Sequence, residues 1–223
     1  MDEKFKNREE GGKALANALA SYKDRRDTIV LALPRGGVPV AFEVAKALNL
    51  PIDVFVVRKL GVPGRSELAF GAVASGGFTV FNEDIVRALA LSNSTIEDVI
   101  KTESAELERR LRTYRSDRPP PELAGRTVII VDDGLATGAT MRAAVEAVRR
   151  QGPSEIVVAA PVASRATCKE LENDGVDHCI CVRTPEPFYG VGIWYTEFTQ
   201  TTDEEVCRLL EKPSTPKVSE FRA

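Results

Sequence analysis

The chain has 223 residues, 43% of them apolar, and its 33 acids against 30 Lys and Arg leave a formal charge of −3. That length supports one good core, or a core with a small subdomain, and the mixed charge offers no basic surface for nucleic acid or an anionic membrane. No run reaches the roughly 18 apolar residues of a membrane span, and Met1-Asp2-Glu3-Lys4 has no apolar segment behind it, so no secretory leader is expected.

Leu15 and Leu19 lie four apart and predict an amphipathic helix over 9–22. The run 28–33 is apolar on both faces, as in a central parallel strand. A helix follows over 38–48, with Pro39 tolerated in its first turn, then a second buried strand over 52–57. Residues 61–66 read as a loop. The stretch 70–81 is broken by Gly71, Gly76 and Gly77 and reads as a hairpin or flap. Ile96, Ile100, Leu107, Leu111 and Tyr114 line one side of a long helix over 94–117, which Pro119-Pro120-Pro121 stops.

Strands and helices then alternate: strand Thr127–Val131, helix 140–150, strand 156–160, helix Arg165–Asn173, strand 178–182. Thr202 and Glu205 have capping-box spacing for a last short helix. Five buried strands separated by helices predict an α/β fold, an open and mainly parallel five-stranded sheet with helices on both faces. We expect one domain over 1–211, with a loop and hairpin insertion at 60–81, a small hood at 183–200, and a loose tail at 212–223.

The four cysteines, Cys168, Cys179, Cys181 and Cys207, contain no CxxC pair. Cys179 and Cys181 are two apart in a strand, poor geometry for a disulfide. Reduced thiols, not metal ligands, and a cytoplasmic compartment are the expectation. His178 is the only histidine and reads as a plain strand residue.

The sharpest signal is Val128-Ile129-Ile130-Val131-Asp132-Asp133-Gly134-Leu135-Ala136-Thr137-Gly138-Ala139-Thr140. An apolar strand delivers two adjacent acids to its carboxyl end, where open α/β sheets bind ligands. A turn through Thr137, Gly138, Ala139 and Thr140 then opens a helix. Its first N–H groups lack intrahelical acceptors and suit a phosphate, and Gly138 permits close approach. Carboxylates repel phosphate, so Asp132 and Asp133 suit ribose hydroxyls or Mg²⁺ held through water. Upstream, Arg35-Gly36-Gly37 stands at another strand-to-helix junction, with a guanidinium suited to pyrophosphate. Arg58 and Lys59 place two cations at the end of the second strand.

The Asp-Asp and Thr-Gly-Ala-Thr run resembles the phosphoribosyl pyrophosphate signature of type I phosphoribosyltransferases. Gly134 departs from it, standing where the family usually has a larger apolar residue. The chain is similar to that family over about residues 8–211, and closest to a widespread bacterial branch of predicted phosphoribosyltransferases.

The resemblance implies Mg²⁺-dependent transfer of a 5-phosphoribosyl group to a nitrogen nucleophile, a nucleobase or related heterocycle, with release of pyrophosphate. It implies a small-molecule substrate and a homodimer. Phosphoribosyl pyrophosphate is assigned to Arg35, Gly36, Gly37, Arg58, Lys59, Asp132, Asp133, Ala136, Thr137, Gly138, Ala139 and Thr140. The catalytic set is Asp132, Asp133, Lys59, Arg65 and Glu67. Arg65 and Glu67 lie in a segment, 64–71, that resembles the family's mobile loop. The Arg35-Gly36 position often carries a non-proline cis peptide. Phe188, Tyr189 and Trp194 fall in the hood that holds the acceptor base. The 6-oxopurine enzymes usually have an acid where this chain has Ala136, which argues against hypoxanthine or guanine. The alternative is a sensor of phosphoribosyl pyrophosphate or nucleotide that has no transfer activity.

Overall fold

The five-residue apolar runs become the middle of a sheet, because a strand apolar on both faces needs helices above and below it. A computed structural model describes residues 3–116 and 118–211, without the side chains of Ser66 and Glu67. The tail expected at 212–223 lies outside the described residues. In chain order the elements are α1 (Arg8–Ala18), β1 (Thr28–Ala32), α2 (Gly37–Leu48), β2 (Ile52–Val54), β3 (Val57–Val62), β4 (Arg65–Ala74), β5 (Phe78–Phe81), α3 (Glu83–Ala88), α4 (Asn93–Arg115), β6 (Thr127–Val131), α5 (Ala139–Arg149), β7 (Glu155–Val162), α6 (Arg165–Asn173), β8 (His178–Arg183) and α7 (Asp203–Glu211). Short 3₁₀ turns stand at Ala20–Tyr22 and Gly192–Trp194.

The main sheet has the order β2-β1-β6-β7-β8, with every pair parallel. Val30, Ala32, Ile129, Val131, Val157 and Ala159 face α1, α2 and α7 through Leu15, Leu19, Val40, Val44 and Val206. The alternate residues Ile29, Leu31, Val128, Ile130, Ile156 and Val158 face α5 and α6 through Met141, Ala144, Val148 and Leu171. Full burial of each such side chain is worth roughly 1.5–3 kcal/mol.

From β1 the chain crosses through α2 to β2 on one side. From β6 it crosses through α5 to β7 on the other. The connections leaving the carboxyl ends of β1 and β6 therefore part toward opposite faces. Between them lies the crevice that open α/β sheets use for ligands.

The middle of the chain differs from the expectation. The second strand of the main sheet ends at Val54, and Val57–Val62 starts a separate three-stranded antiparallel sheet, β3-β4-β5. Residues 61–66 are not a loop. They hold the end of β3, a turn at Pro63 and Gly64, and the start of β4, and Gly64 takes the left-handed φ of +76° that such a turn requires. The segment resembling a mobile loop is thus the arm of a hairpin. Helix α3 is short and adds to the expected elements; Asn82 caps it by accepting from Ile85 N–H. Strand β8 is a half-buried edge, not a buried strand. Helix α4 ends at Arg115 with Ser116 at φ +53°, ahead of the prolines.

Arg115 ties that helix end to the sheet. Its Nε donates to Asp53 Oδ1 at 2.9 Å and its Nη2 to the carbonyl of Val54 at 2.7 Å. The two side chains are only 7% and 11% exposed. Arg115→Met leaves a buried carboxylate alone and should lower the urea unfolding free energy by about 3–5 kcal/mol. Adding Asp53→Asn should return part of that loss, because no unpaired charge remains.

Candidate active site

The turn between β6 and α5 is shaped by what holds its carbonyls. Thr167 Oγ1 on α6 donates to the Ala136 carbonyl, and Arg142 Nη2 donates to that of Thr137. With those carbonyls fastened behind the turn, the N–H groups of Ala136, Thr137, Gly138, Ala139, Thr140 and Met141 meet no acceptor among the described residues. Gly138 stands at the N-cap with φ +69°, so no side chain caps the helix, and no acid sits in its first turn. A Cβ at Gly138 would come 2.6 Å from Thr167 Cγ2. Ala136, Thr137 and Ala139 are exposed. Unpaired, outward N–H groups at a helix start, with the dipole behind them, form an anion cradle.

A second set of free donors faces the same crevice. Between β1 and α2 the Pro34–Arg35 peptide is cis, one bond ahead of the Arg35-Gly36 step that the resemblance pointed to. The N–H groups of Arg35 and Gly36 find no described acceptor, and Gly36 caps α2 without a side chain. This turn lies directly on the acids. A Cβ on Gly36 would overlap Asp133 Oδ2, and one on Gly37 would come 2.6 Å from the Val131 carbonyl. The glycines are thus required by the closeness of the two loops.

The acids themselves are half-buried. Asp132 Oδ1 accepts from the Asp133 N–H at 2.8 Å, and its second oxygen meets no described donor. Burial, and next the neighbouring Asp133 charge, push the Asp132 carboxyl well above the usual carboxylate range. Burial also raises Asp133, against the pull of Arg8. Arg8 Nε, at the start of α1, donates to Asp133 Oδ2 at 2.8 Å, and its Nη1 donates to the Thr199 carbonyl at 2.6 Å. The Arg8 guanidinium lies 3.9 Å over the Phe198 ring, a placement that favours the cation. Tyr195 donates its hydroxyl to the Asp133 carbonyl at 2.6 Å.

The other expected cations separate. Lys59 is exposed and lines a cleft of about 570 Å³ with Ala72, Phe81, Ala139 and Arg142, next to the anion cradle. Arg58 was expected beside it. Successive residues of a strand point to opposite faces, so Arg58 turns instead to α4, where its Nε donates to Glu103 at 2.7 Å. Arg35 lies 3.8 Å from Asp203 on α7. Arg65 is exposed at the start of β4, beside the hairpin turn, and the Glu67 side chain lies outside the described residues. Phe188 and Trp194 pack against Phe5, Val162 and Tyr195, while Tyr189 stands 81% exposed. The lone His178 is exposed on β8, 3.6 Å from Glu155, away from these loops.

Residues 3–192 match the family model described as a phosphoribosyl transferase domain. The chain belongs to the phosphoribosyl transferase domain family. It is 44% identical over 208 residues to the Mycobacterium tuberculosis H37Rv protein Rv0571c, provisionally named a phosphoribosyl transferase. The match covers 93% of this chain but 46% of that protein, so the chain spans about half the length of the curated relatives it matches. The crystal structure of TT1426 from Thermus thermophilus is 40% identical, covers 93% of this chain and 97% of its own, and superposes with a TM-score of 0.81. The structure of AQ2163 protein from Aquifex aeolicus shares the fold at a TM-score of 0.51 and 13% identity, over 92% of this chain and 83% of its own.

Against that family, the departure at Gly134 has a physical reason here. A Cβ on Gly134 would overlap both methyls of Val191. The hood fills the space that a side chain at position 134 would need, and it packs directly on the loop after β6. Arg8, Arg142 and Thr167 are neighbours of the site that motif reading missed, while Tyr195 and Val191, expected in the hood, turn to the loop after β6. Each is an ordinary residue in sequence and acquires its place through a contact 5 to 125 residues away along the chain, as for Arg142 with Thr137 and Arg8 with Asp133.

Gly134→Val should cost about 1–3 kcal/mol by overpacking, and Val191→Ala in the same chain should recover most of it; urea unfolding of the two single variants and the double checks the coupling. Asp132→Asn should raise the melting temperature of the ligand-free protein at neutral pH. The wild-type folded carboxyl is raised, so its penalty is absent below the unfolded value, grows as pH rises from there to the folded value, and is constant above it. The gap between variant and wild type should therefore widen with increasing pH, which thermal melts across a pH series read directly.

Proposed function

We propose that this domain transfers the 5-phosphoribosyl group of phosphoribosyl pyrophosphate, with Mg²⁺, to a nitrogen nucleophile, a nucleobase or related heterocycle, and releases pyrophosphate. One observation carries the reading: two turns of N–H groups with no described acceptor flank a half-buried Asp pair in one crevice. The ligand that suits it has two anionic groups with a hydroxylated, cation-forming centre between them.

The donor set fits Mg²⁺. Two carboxylates at a sheet edge, one with an oxygen that no described residue engages, suit an ion that is held mostly by water and substrate phosphates. When bound, the ion neutralises charge on the pyrophosphate oxygens. The remaining roles belong to the chain. The amides from Thr137 to Met141 hold the 5-phosphate. Asp132 and Asp133 accept from the ribose hydroxyls and face the positive charge that builds on the ring as the bond to pyrophosphate stretches. The Arg35 and Gly36 amides, the Arg35 guanidinium and Lys59 meet the negative charge growing on the leaving group. Arg65 is placed on the hairpin arm that resembles the closing loop. Inversion at the ribose carbon follows if the nucleophile enters from the side opposite pyrophosphate. Tyr189, the exposed aromatic of the hood, is the side chain free to stack on an acceptor ring. Phe188 and Trp194 stabilise the hood by packing.

Calorimetric titration with phosphoribosyl pyrophosphate should show binding that requires Mg²⁺ and weakens in Asp133→Asn, with turnover reduced by about 10²-fold. Equal binding by the variant removes the role of the acids. A nucleobase panel assayed for released pyrophosphate then separates transfer from sensing: binding without pyrophosphate from any base would make the domain a sensor.

A further inference from the structure

A second chemical cluster lies behind the anion cradle, where α6 packs on the edge strand β8. Cys179 and Cys181 are two apart on β8, so strand alternation puts both on one face. Cys168 of α6 comes down onto the same face. Cys168 Sγ is 3.3 Å from Cys181 Sγ, and Cys179 Sγ is 4.0 Å from Cys181 Sγ. All three sulfurs lie within 4.8 Å of one another, and all three residues are half-buried, close enough to the surface for an ion to reach.

We propose that Cys168, Cys179 and Cys181 form a three-thiolate site for one thiophilic d¹⁰ cation, Zn²⁺ or Cu⁺. Metal–sulfur bonds of about 2.3 Å put the sulfurs of such a site about 3.8 Å apart, and the observed separations straddle that spacing. Soft thiolates select these ions over Mg²⁺, so the site does not compete for the ion of the crevice. A disulfide would use two of the sulfurs and leave the convergence of the third without a role. The expectation of plain thiols rested on spacing along the chain, which shows the pair on β8 but not that α6 brings Cys168 to it. A water completes a four-coordinate Zn²⁺. The site would fasten α6 to β8, and α6 also carries Thr167, which holds the Ala136 carbonyl of the cradle.

The full chain, reduced with a phosphine, is passed through gel filtration after exposure to Zn²⁺ or, without oxygen, to Cu⁺, and bound metal is measured by mass spectrometry. We expect about one equivalent of one of these ions to be retained. It should be lost in Cys168→Ser and Cys181→Ser, and kept in Cys207→Ser, whose thiol lies apart and donates to the Thr113 carbonyl. Which ion stays identifies the cation. Retention of neither, or equal retention by Cys168→Ser, overturns the site. Where circular dichroism shows the serine variants unfolded, alkylation of the wild type decides. Metal must slow labelling of the three clustered thiols and not of Cys207, and equal rates overturn the proposal. A Cys168–Cys181 disulfide recovered without metal overturns it too.

Discussion

The arrangement depends on charge that the protein exposes without a full partner at one place, the carboxyl ends of β1 and β6. Two acids are half-buried, and the amides that face them meet no acceptor among the described residues. The first condition opposes folding, since burial disfavours the charged carboxylate, and the second leaves the amides to water. They persist because the parallel sheet beneath is apolar on both faces and fixes the two strand ends side by side. The turn glycines then allow an approach that any side chain would block.

The caps make the same point from another direction. Asn7, Asn82 and Ser92 each accept a hydrogen bond at the start of α1, α3 and α4. The helices α2 and α5, which open from the two crevice loops, have no side-chain cap. Side-chain capping stabilises a helix start by about 1 kcal/mol, and these two helices forgo it at the places where an anion can take over. Arg142 and Thr167 complete the device by fixing the carbonyls of the turn, so that the amide side faces out.

Much of this was legible in the sequence, since a buried parallel strand and the turn after it are local patterns. Thr127–Val131 and Arg165–Asn173 begin and end where apolar period and flanking residues put them. The Asp pair, the Thr-Gly-Ala-Thr turn and the Arg-Gly-Gly turn needed only the rule that ligands bind at carboxyl strand ends. The misreadings share a different cause. Gly61, Pro63 and Gly64 look like loop punctuation, yet Gly61 pairs with Ala69 inside a strand and only Pro63 and Gly64 make the tight turn of the hairpin. Arg58 and Lys59 look like one basic patch, but a strand sends neighbours to opposite faces, and nothing in the pair itself announces that it lies within a strand. Arg8 carries no local signal because its partner, Asp133, lies 125 residues away in the loop after β6. Gly134 was visible as an oddity, and only the position of Val191 explains it.

The contact between Arg35 and Asp203 joins the turn after β1 to the start of α7, which packs beside α2. Asp203 opens α7 and also accepts the Tyr114 hydroxyl from α4. A polyanion that draws Arg35 away leaves Asp203 with Tyr114 and the helix start alone, shifting the electrostatic footing on which α4 and α7 meet. Anion binding at the turn after β1 would thereby bear on the seam of α4 and α7, which packs on the same face of the sheet as α2.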